Sequence, residues 1–577
     1  MFSLRRVIDE EGSKLYFFIF HLMMLSFALC TLVLCQTTVL AIQPEVVLQQ
    51  GTLKGLWANS FGGRPYAAFY GIPYAKPPVG ENRFKEPAAA DPWSGFYNAT
   101  KEPPKCLQFY FYDSRYPAKI EGAEDCLYIN VFTPRLKTRA ADQKPLDVMV
   151  YVHGGGFMVG SSLDLGVDYI LDRDIVFVAF NYRLGPLGFL STGDVVVPGN
   201  NGLKDQVLAL KWIQQNIAAF GGDPNSVTLT GFSAGSASVH YHILSPLSKG
   251  LFKGAILASG SSLNPWSFAH NVKEKSLFVA RELGCPEVDS LSMIKCLRQR
   301  PAEKIVHSTK YFVAWYYHPI APFGPVVEIP GPTAFLPDTP MNLMRHGKGL
   351  DLPIMITFCK DEGTFSVIDI ITNPNMNNDV KTDWNGIIPY LFEFNDTVPS
   401  EKRKEEVSQE IKNHYNIDLD SKEGQQNLIK ALSDRLFITG ITKMAKIHSS
   451  VNTSPVYMLR FSYNGKHSYT SVEDIYKNMG VSHGADMIYI LPMEGKNTQE
   501  IEADRQVSLQ LIDLWVSFAV NSTLDVPTFN QNLPKITFTD FQGPNQLVPT
   551  MVDELGEEKF WDSLNLKENI VSCTDSK

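Results

Sequence analysis

The sequence has little positive charge relative to its negative charge. Its 577 residues contain 52 Lys and Arg against 61 Asp and Glu, which gives a formal net charge of −9 at pH 7. No basic stripe is available to neutralise phosphate groups, so the composition argues against nucleic acid as a partner. Local charge runs such as EKRKEE, which starts at Glu401, are typical of a solvated helix face.

The chain also lacks internal boundaries. Its length alone would correspond to about three or four domains. However, the sequence contains no Pro/Ser-rich linker, no repeat and no charge block that would separate them. A hydrophobic content of 44% suffices for a sizeable core. We therefore expect one large domain at residues 36–565, followed by a polar C-terminal tail at residues 566–577.

An apolar run of 21 residues, Leu15 to Cys35, lies near the N-terminus. Three basic residues precede it, and the next Lys or Arg after it is Lys54. This pattern predicts a secretory signal at residues 1–35, cleaved between Cys35 and Ile42. The run is also long enough to span a bilayer as an uncleaved anchor. Both alternatives place the remaining chain on the lumenal or extracellular side, so we expect a secreted protein that contacts a membrane only if the segment stays attached.

The pentapeptide GFSAG, Gly231 to Gly235, lies between the β-rich run SVTLT and the helix-compatible run SASVHYHIL. Small residues suit a tight turn because it leaves little room for neighbouring Cβ atoms. A Gly-x-Ser-x-Gly pentapeptide occurs by chance about 0.2 times in a chain of this length. The predicted strand before it and the predicted helix after it therefore carry the argument. They indicate a sharp turn that exposes Ser233 as a nucleophile.

A second glycine-rich turn follows the run LDVMVYV in the sequence LDVMVYVHGGGF, which ends at Phe157. Consecutive glycines let backbone N–H groups approach a ligand closely. We predict that the N–H groups of Gly155, Gly156 and Ala234 form an oxyanion hole, in which one donor contributes about 3 kcal/mol to transition-state stabilisation. The alternative is a flexible glycine turn without such a role.

If Ser233 is a nucleophile on this type of fold, an acidic residue and then a histidine should follow along the chain. The apolar run LPIMITF leads into the polar turn CKDEGTF, where Glu362 is the preferred acid and Asp361 the competitor. His483 lies in the small-residue turn GVSHGADM and is the preferred base. The other downstream histidines lack such a turn. His414 and His448 resemble solvated helix positions, and His467 lies in a polar loop.

Alternating apolar strands and helical runs predict the architecture. The pattern starts with an N-terminal hairpin, VVLQQGTLKGLW, and continues through the strands named above to a late amphipathic helix, DRQVSLQLIDLWVSFAV. Such alternation predicts an α/β fold with a mostly parallel sheet and helices on both faces. Residues Asn264 to Met344 look irregular and aromatic, and their YFVAWYYH run is interpreted as a gorge wall, a lid or ordinary core packing.

Longer stretches surround these motifs and span most of residues 50–520: YGIPYAKPPVGENRF, AEDCLYINVFTP, HGGGF, NYRLGPLGFL, GNNGLKDQVLALKWIQQNIAAFGGDP, GFSAGSASV, KDEGTF and HGAD. With them the chain resembles the type-B carboxylesterases of the cholinesterase-like group, and within it the secreted insect esterases. The resemblance implies an α/β-hydrolase fold. It also implies a triad of Ser233, Glu362 and His483, with Glu362 rather than Asp361 as the acid.

The resemblance further implies several structural residues. Disulfide bonds are expected between Cys106 and Cys126 and between Cys285 and Cys296, which leaves Cys359 and Cys573 unpaired. It implies the ion pairs Arg83–Glu124 and Arg183–Asp205. It also implies that Asp486 is a supporting residue near His483. Glycan acceptor triplets occur at Asn98, Asn395, Asn452 and Asn521. In an exported chain we expect glycans at some of the sites Asn98, Asn395 and Asn521. Asn452 is the weakest candidate because a proline follows the serine of its triplet.

Two departures from the cholinesterases bear on the substrate. Where those enzymes carry a glutamate before the nucleophile and a tryptophan upstream of the EDC cysteine, this chain has Phe232 and Tyr116. The change lowers the expected affinity for a quaternary ammonium group. We therefore expect a hydrolase of neutral, fairly apolar carboxylic esters that forms an acyl-enzyme without a metal or organic cofactor. The alternatives are a juvenile-hormone-esterase-like enzyme, an amidase or lipase, and a catalytically silent adhesion protein.

Overall fold

The structure is a computed structural model that describes residues 43–112, 117–136, 144–467 and 479–568. The predicted signal segment, Tyr116 and Cys573 lie outside the described residues. From Val46 onward, the described residues belong to one compact unit. In the part of the chain that is described, no helix combines the length and apolar character needed to cross a bilayer.

The strands, in chain order, are β1 (Glu45–Leu48), β2 (Gly51–Lys54), β3 (Leu56–Asn59), β4 (Pro65–Pro73), β5 (Phe96–Asn98), β6 (Gln108–Tyr110), β7 (Lys119–Glu121), β8 (Tyr128–Thr133), β9 (Leu146–Val152), β10 (Val176–Phe180), β11 (Gly222–Phe232), β12 (Gly254–Ala258), β13 (Ile354–Cys359), β14 (Val456–Phe461), β15 (Ile536–Gly543) and β16 (Gln546–Val552). An 11-stranded sheet has the order β16-β15-β14-β13-β12-β11-β9-β10-β8-β4-β3. Its central strands, from β15 to β10, pair in parallel. The outer pairs at both ends are antiparallel.

The α-helices span Gly185–Phe189, Asn201–Asn216, Ala234–Leu244, Val272–Glu282, Ser290–Arg298, Ala302–His307, Pro340–Arg345, Thr364–Thr372, Pro374–Thr382, Trp384–Leu391, Glu401–Tyr415, Lys422–Ser433, Thr439–Val451, Met487–Ile490, Glu502–Asn521 and Glu558–Ser563. A π-helical turn, Asp434–Ile438, joins two of them. The 3-10 helices span Gly80–Asn82, Ile170–Asp172, Ile217–Phe220, Pro246–Ser248, Pro265–Ser267 and Ser308–Phe312.

Strand β9 shows how the sheet separates two cores. Val148 and Val150 belong to one hydrophobic cluster, whereas Met149 and Tyr151 belong to the other. Successive side chains of a strand point to opposite faces, so the two clusters cover opposite faces of the sheet. A strand that is buried on both faces reads as a near-continuous apolar run, which explains the LDVMVYV sequence. The predicted mostly parallel sheet with helices on both faces is confirmed.

The segment between Asn264 and Met344 differs from its predicted irregular form. It contains the helices Val272–Glu282, Ser290–Arg298 and Ala302–His307. The Ser290–Arg298 helix begins after Asp289, whose side chain accepts a hydrogen bond from the Ser292 N–H at 2.8 Å. Such a cap stabilises short helices whose apolar periodicity is too brief to be recognised in the sequence.

Covalent and ionic contacts close the loops around the sheet. The disulfides Cys106–Cys126 and Cys285–Cys296 close loops of 20 and 11 residues, and each contributes about 3 kcal/mol on the chain-entropy model. Cys359 is a buried free thiol. The ion pairs Arg83–Glu124 and Arg183–Asp205 are both present, and the second is buried.

Candidate active site

Polar groups collect where the central parallel strands end. The glycine turn follows β9, Ser233 follows β11 and Glu362 follows β13. The carboxyl ends of parallel strands lie at one edge of a sheet, and this edge is where open α/β folds bind their ligands. The fold therefore brings three segments that are distant in sequence to one place.

Ser233 lies at a sharp turn between β11 and the Ala234–Leu244 helix. Its backbone has φ 57° and ψ −121°, a strained conformation for a residue with a side chain. The Ser233 N–H donates to the Ala258 carbonyl at 2.8 Å, which holds the turn in place. A Cβ atom on Gly235 would lie 2.0 Å from the Val152 carbonyl oxygen, so only glycine fits there. The close approach of β9 thus requires a glycine at position 235.

His483 and Glu362 are in direct contact. His483 Nδ1 lies 2.6 Å from Glu362 Oε2. The other carboxylate oxygen, Oε1, accepts hydrogen bonds from Ser259 Oγ at 2.6 Å and from the Cys359 N–H at 2.7 Å. Glu362 is fully buried. The carboxylate is therefore fixed in an orientation that holds the imidazole by one ring nitrogen.

Asp361, the competing acid, has a different partner. Its carboxylate accepts the Val481 N–H at 2.9 Å, and the Asp361 N–H donates to the Val481 carbonyl. Burial raises the pKa of the Asp361 carboxyl above its ordinary value. Asp361 thus supports the loop that carries His483, whereas Glu362 contacts the imidazole.

The three other downstream histidines lie elsewhere. His414 stacks on Phe560 with ring centroids 3.7 Å apart, and His467 is buried. The prediction that His448 is solvated on its helix was wrong, since it is 3% exposed and contacts the Asn452 amide. Its burial results from tertiary packing of the Thr439–Val451 helix, which the local sequence does not reveal.

The glycine turn lies directly against the serine. A Cβ on Gly154 would be 3.0 Å from Ser233 Cβ. Gly155 and Gly156 have φ of 105° and 61°, and the Gly155 carbonyl accepts from the Met158 and Val159 N–H groups. Because a trans peptide directs its C=O and N–H oppositely, the Gly156 N–H points away from that turn. The Ala234 N–H starts a helix and has no acceptor within it.

Aromatic rings surround the imidazole of His483. Ring centroids of Phe437, Phe232 and Phe365 lie 4.4, 4.6 and 5.6 Å from that of His483. The sequence singled out Phe232 through its place in the pentapeptide but gave no sign of Phe437, which lies on a helix without a motif. The sequence analysis also missed Ser259, which lies in no recognised motif; its position directly after the apolar run of β12 was a signal for it.

Tyr112 and Ile320 form a wall beside Gly156. A Cβ on Gly156 would lie 2.3 Å from Tyr112 Oη and 3.2 Å from Ile320 Cγ2. The Tyr112 hydroxyl donates to the Ile320 carbonyl. Ile320 follows the YFVAWYYH run, in which Tyr317 is 3% exposed and Tyr311 is 50% exposed. The aromatic run therefore packs partly into the core, and Ile320, which follows it, lies beside the glycine turn.

Asp486 lies close to the carboxylate of Glu362. Thr357 Oγ1 donates to it at 3.1 Å, and the Cys359 thiol is 3.5 Å away. Burial, together with the charge of Glu362, raises the pKa of the Asp486 carboxyl to about 6. The folded protein therefore binds a proton here more readily than the unfolded chain does, and the free energy of unfolding falls as the pH rises from the unfolded pKa of Asp to the folded pKa.

Replacing Asp486 with Asn should consequently stabilise the protein in a pH-dependent way. The ionisation cost is absent below the unfolded pKa of Asp, grows as pH rises through the folded pKa, and is complete above it. We expect the advantage of Asp486→Asn over wild type to increase by about 3 kcal/mol from acidic to neutral pH. Thermal unfolding midpoints of both proteins across this range test the prediction. A difference that does not change with pH would contradict it.

The chain is similar in sequence and in structure to known esterases. The model of the carboxylesterase family matches residues 42–549. The chain is 43% identical over 497 residues to Esterase FE4 of Myzus persicae, an alignment that covers 85% of this chain and 86% of that protein. It is 36% identical over 538 residues to Venom carboxylesterase-6 of Apis mellifera, covering 91% and 95%. The crystal structure of juvenile hormone esterase from Manduca sexta, with OTFP covalently attached, superposes with a TM-score of 0.76 at 28% identity, covering 90% of this chain and 99% of that one.

Proposed function

The chain belongs to the carboxylesterase family and is a carboxylic ester hydrolase, and we propose that Ser233, His483 and Glu362 carry out its reaction. Ser233 acts as the nucleophile, His483 as the general base and Glu362 as the group that orients the imidazole. The observation that supports this assignment best is the 2.6 Å contact between His483 Nδ1 and Glu362 Oε2. It leaves Nε2 as the ring nitrogen that accepts a proton.

The proposed reaction has two halves. In the first, His483 takes the proton of Ser233 as its oxygen attacks the ester carbonyl, and then delivers that proton to the departing alcohol. In the second, His483 activates a water molecule that attacks the acyl-enzyme and releases the acid. Glu362 keeps the imidazole in the correct tautomer and stabilises the imidazolium in both halves.

The carbonyl oxygen of the substrate becomes negative during each attack. We propose that the N–H groups of Gly155, Gly156 and Ala234 stabilise it. The left-handed backbone of both glycines and the N-terminal position of Ala234 in its helix support this assignment. A helix N-terminus also carries partial positive charge, which favours an anion there.

Replacing Gly156 with Ala should lower kcat by about 10²-fold, because the loop loses the backbone geometry that directs its N–H groups. An alanine there adopts an unfavourable φ and its Cβ meets Tyr112 Oη. Gly63→Ala is the control, since Gly63 has φ 82° and no atom of the described residues lies within 4 Å of an added Cβ. Steady-state kinetics of both variants test the prediction, and equal kcat values would contradict it.

We propose neutral, fairly apolar esters as substrates. Phe232, next to the nucleophile, is 4% exposed and packs on the imidazole of His483. A phenyl ring has no net charge and attracts a quaternary ammonium group only through its quadrupole, so it replaces the charge attraction of a carboxylate with a weaker interaction. Rates on short-chain nitrophenyl esters, choline esters, long-chain glycerides and anilides test this substrate class. Higher kcat/KM for choline esters than for neutral esters of the same acyl group would contradict it.

A second candidate substrate is juvenile hormone. It is supported by the structural likeness to the Manduca sexta enzyme named for that hormone. The hormone belongs in the same substrate panel, and a kcat/KM far above that of the simple esters would make it the physiological candidate.

We also propose that the protein is exported. In this proposal residues 1–35 are a signal, residues 36–565 form one catalytic domain and residues 566–577 form a polar tail. The two disulfides support an oxidising compartment. The acceptor residues Asn98 and Asn521 are exposed, whereas Asn395 is half-buried and its amide oxygen accepts from Lys404 Nζ at 2.9 Å. We therefore expect glycans at Asn98 and Asn521, which mass spectrometry before and after deglycosylation would detect.

A further inference from the structure

A π-helical turn, Asp434–Ile438, lies between the helices Lys422–Ser433 and Thr439–Val451. All its residues are buried. π-helical turns are rare, and many occur at functional sites. We propose that this turn positions the catalytic imidazole, with Phe437 as the residue that holds the plane of the His483 ring. The inference rests on the proposed role of His483 as the base.

The first step of the argument concerns how the imidazole is held. Glu362 contacts one atom, Nδ1, and a ring bound through one atom can still swing about that hydrogen bond. The ring of Phe437 lies against His483 at 4.4 Å with an interplanar angle of 32°. Phe437 is itself 2% exposed and also contacts the rings of Trp266 and Phe365. A packed ring therefore limits the swing, which matters because proton transfer requires Nε2 to face the nucleophile.

The second step concerns how the turn itself is fixed. Asn264 Nδ2 donates to the carbonyl oxygens of Leu436 and Phe437 at 2.9 and 2.7 Å. Trp266 Nε1 donates to the Leu436 carbonyl at 2.7 Å. These buried donors bind backbone acceptors on the very residues of the π-helical turn. Its shape is therefore held by side chains outside the helix as well as by its own hydrogen bonds.

The third step links the turn to the triad acid. The Gly363 N–H, next to Glu362, donates to Ser433 Oγ at 2.8 Å, just before the turn begins. A Cβ on Gly363 would lie 2.7 Å from the Ile429 carbonyl oxygen, so the helix contacts this backbone closely. Just beyond the turn, a Cβ on Gly440 would lie 2.6 Å from Asn264 Nδ2. The residues that flank the turn, Ser433 before it and Gly440 after it, therefore both make close contacts, and Ser433 contacts the backbone next to Glu362.

The test compares two buried phenylalanines. Phe437→Leu removes the ring that contacts His483. Phe392→Leu is the matched control, because Phe392 is fully buried and stacks on Trp561, and its carbonyl accepts from Arg435 of the same turn. Each kcat is referred to the concentration of serine titrated by an organophosphate. We expect Phe437→Leu to lower kcat about 30-fold relative to Phe392→Leu, with KM changed about two-fold at most.

A milder variant covers the case in which Phe437→Leu does not fold. Trp266→Phe keeps an aromatic ring near Phe437 but removes the N–H that binds the Leu436 carbonyl. We expect a fall in kcat of about five-fold at unchanged KM. The signal of the imidazole Nδ1 proton in the NMR spectrum should shift in this variant and in Phe437→Leu, but not in Phe392→Leu.

The outcomes separate the two proposals. Equal kcat in Phe437→Leu and Phe392→Leu would overturn the positioning role, as would an unchanged kcat in Trp266→Phe if Phe437→Leu does not fold. A wild-type protein that neither reacts with the organophosphate nor hydrolyses esters would instead contradict the proposed triad. A lower kcat confined to Phe437→Leu and Trp266→Phe supports the inference.

Discussion

Replacing Ser233 with alanine is expected to lower kcat for a neutral ester by about 10⁶-fold, the largest single effect that we predict. The reason is that the acyl-enzyme cannot form without the serine oxygen. Residual hydrolysis should still exceed that in water, because the N–H groups of the glycine turn remain able to stabilise the oxyanion. The measurement is single-turnover and steady-state hydrolysis of a nitrophenyl ester by purified protein.

Ser238→Ala is the matched control for this substitution. Ser238 lies on the Ala234–Leu244 helix that follows Ser233 and is fully buried. Its hydroxyl donates to the Ala234 carbonyl at 2.9 Å and accepts from Gln206 Nε2 at 3.2 Å. Losing these two bonds should lower the free energy of unfolding by about 1–3 kcal/mol, because the buried Gln206 amide loses an acceptor, and should change activity by less than about three-fold. If Ser233→Ala kept a tenth or more of wild-type kcat, another residue would have to be the nucleophile.

Replacing Glu362 with Gln should lower kcat by about 10⁴-fold while the protein remains folded. The carboxylate accepts from three groups, His483 Nδ1, Ser259 Oγ and the Cys359 N–H. A neutral amide cannot accept in all these directions, and its NH₂ group would favour the wrong imidazole tautomer. The change therefore acts on the chemical step, so KM should stay close to that of wild type.

The adjacent acid provides the control. Asp361→Asn keeps an oxygen that can accept the Val481 N–H, through which Asp361 supports the loop that carries His483. We expect kcat within about five-fold of wild type. A large loss in Asp361→Asn together with a small one in Glu362→Gln would reverse the assignment of the acid.

The parts of the site that the sequence predicts are those that need special local backbone. Ser233 and Gly156 adopt positive φ values, and such positions restrict the residue types around them. Chain order and small neighbours then indicated His483, while the choice of Glu362 over Asp361 also drew on family resemblance. Asp361 and Glu362 share one turn, and which of them contacts the imidazole depends on how that turn packs against Val481.

The contacts that the sequence does not predict come from packing between distant segments. Phe437 meets His483, and Ser259 meets Glu362, across sequence separations that no local pattern encodes. The burial of His448 has the same origin. The strand pattern predicted a mostly parallel sheet. The antiparallel pairing of β3 and β16 at its edges depends on which strands meet in space, which the apolar pattern does not encode.

The most direct test of the account is to locate the covalent adduct formed with an organophosphate. The protein should take up one equivalent as its esterase activity disappears, and peptide mass spectrometry should find the adduct on Ser233. Prior replacement of His483 should slow this labelling strongly, because the serine oxygen then lacks its base. An adduct on another residue, or full loss of activity without modification of Ser233, would contradict the account.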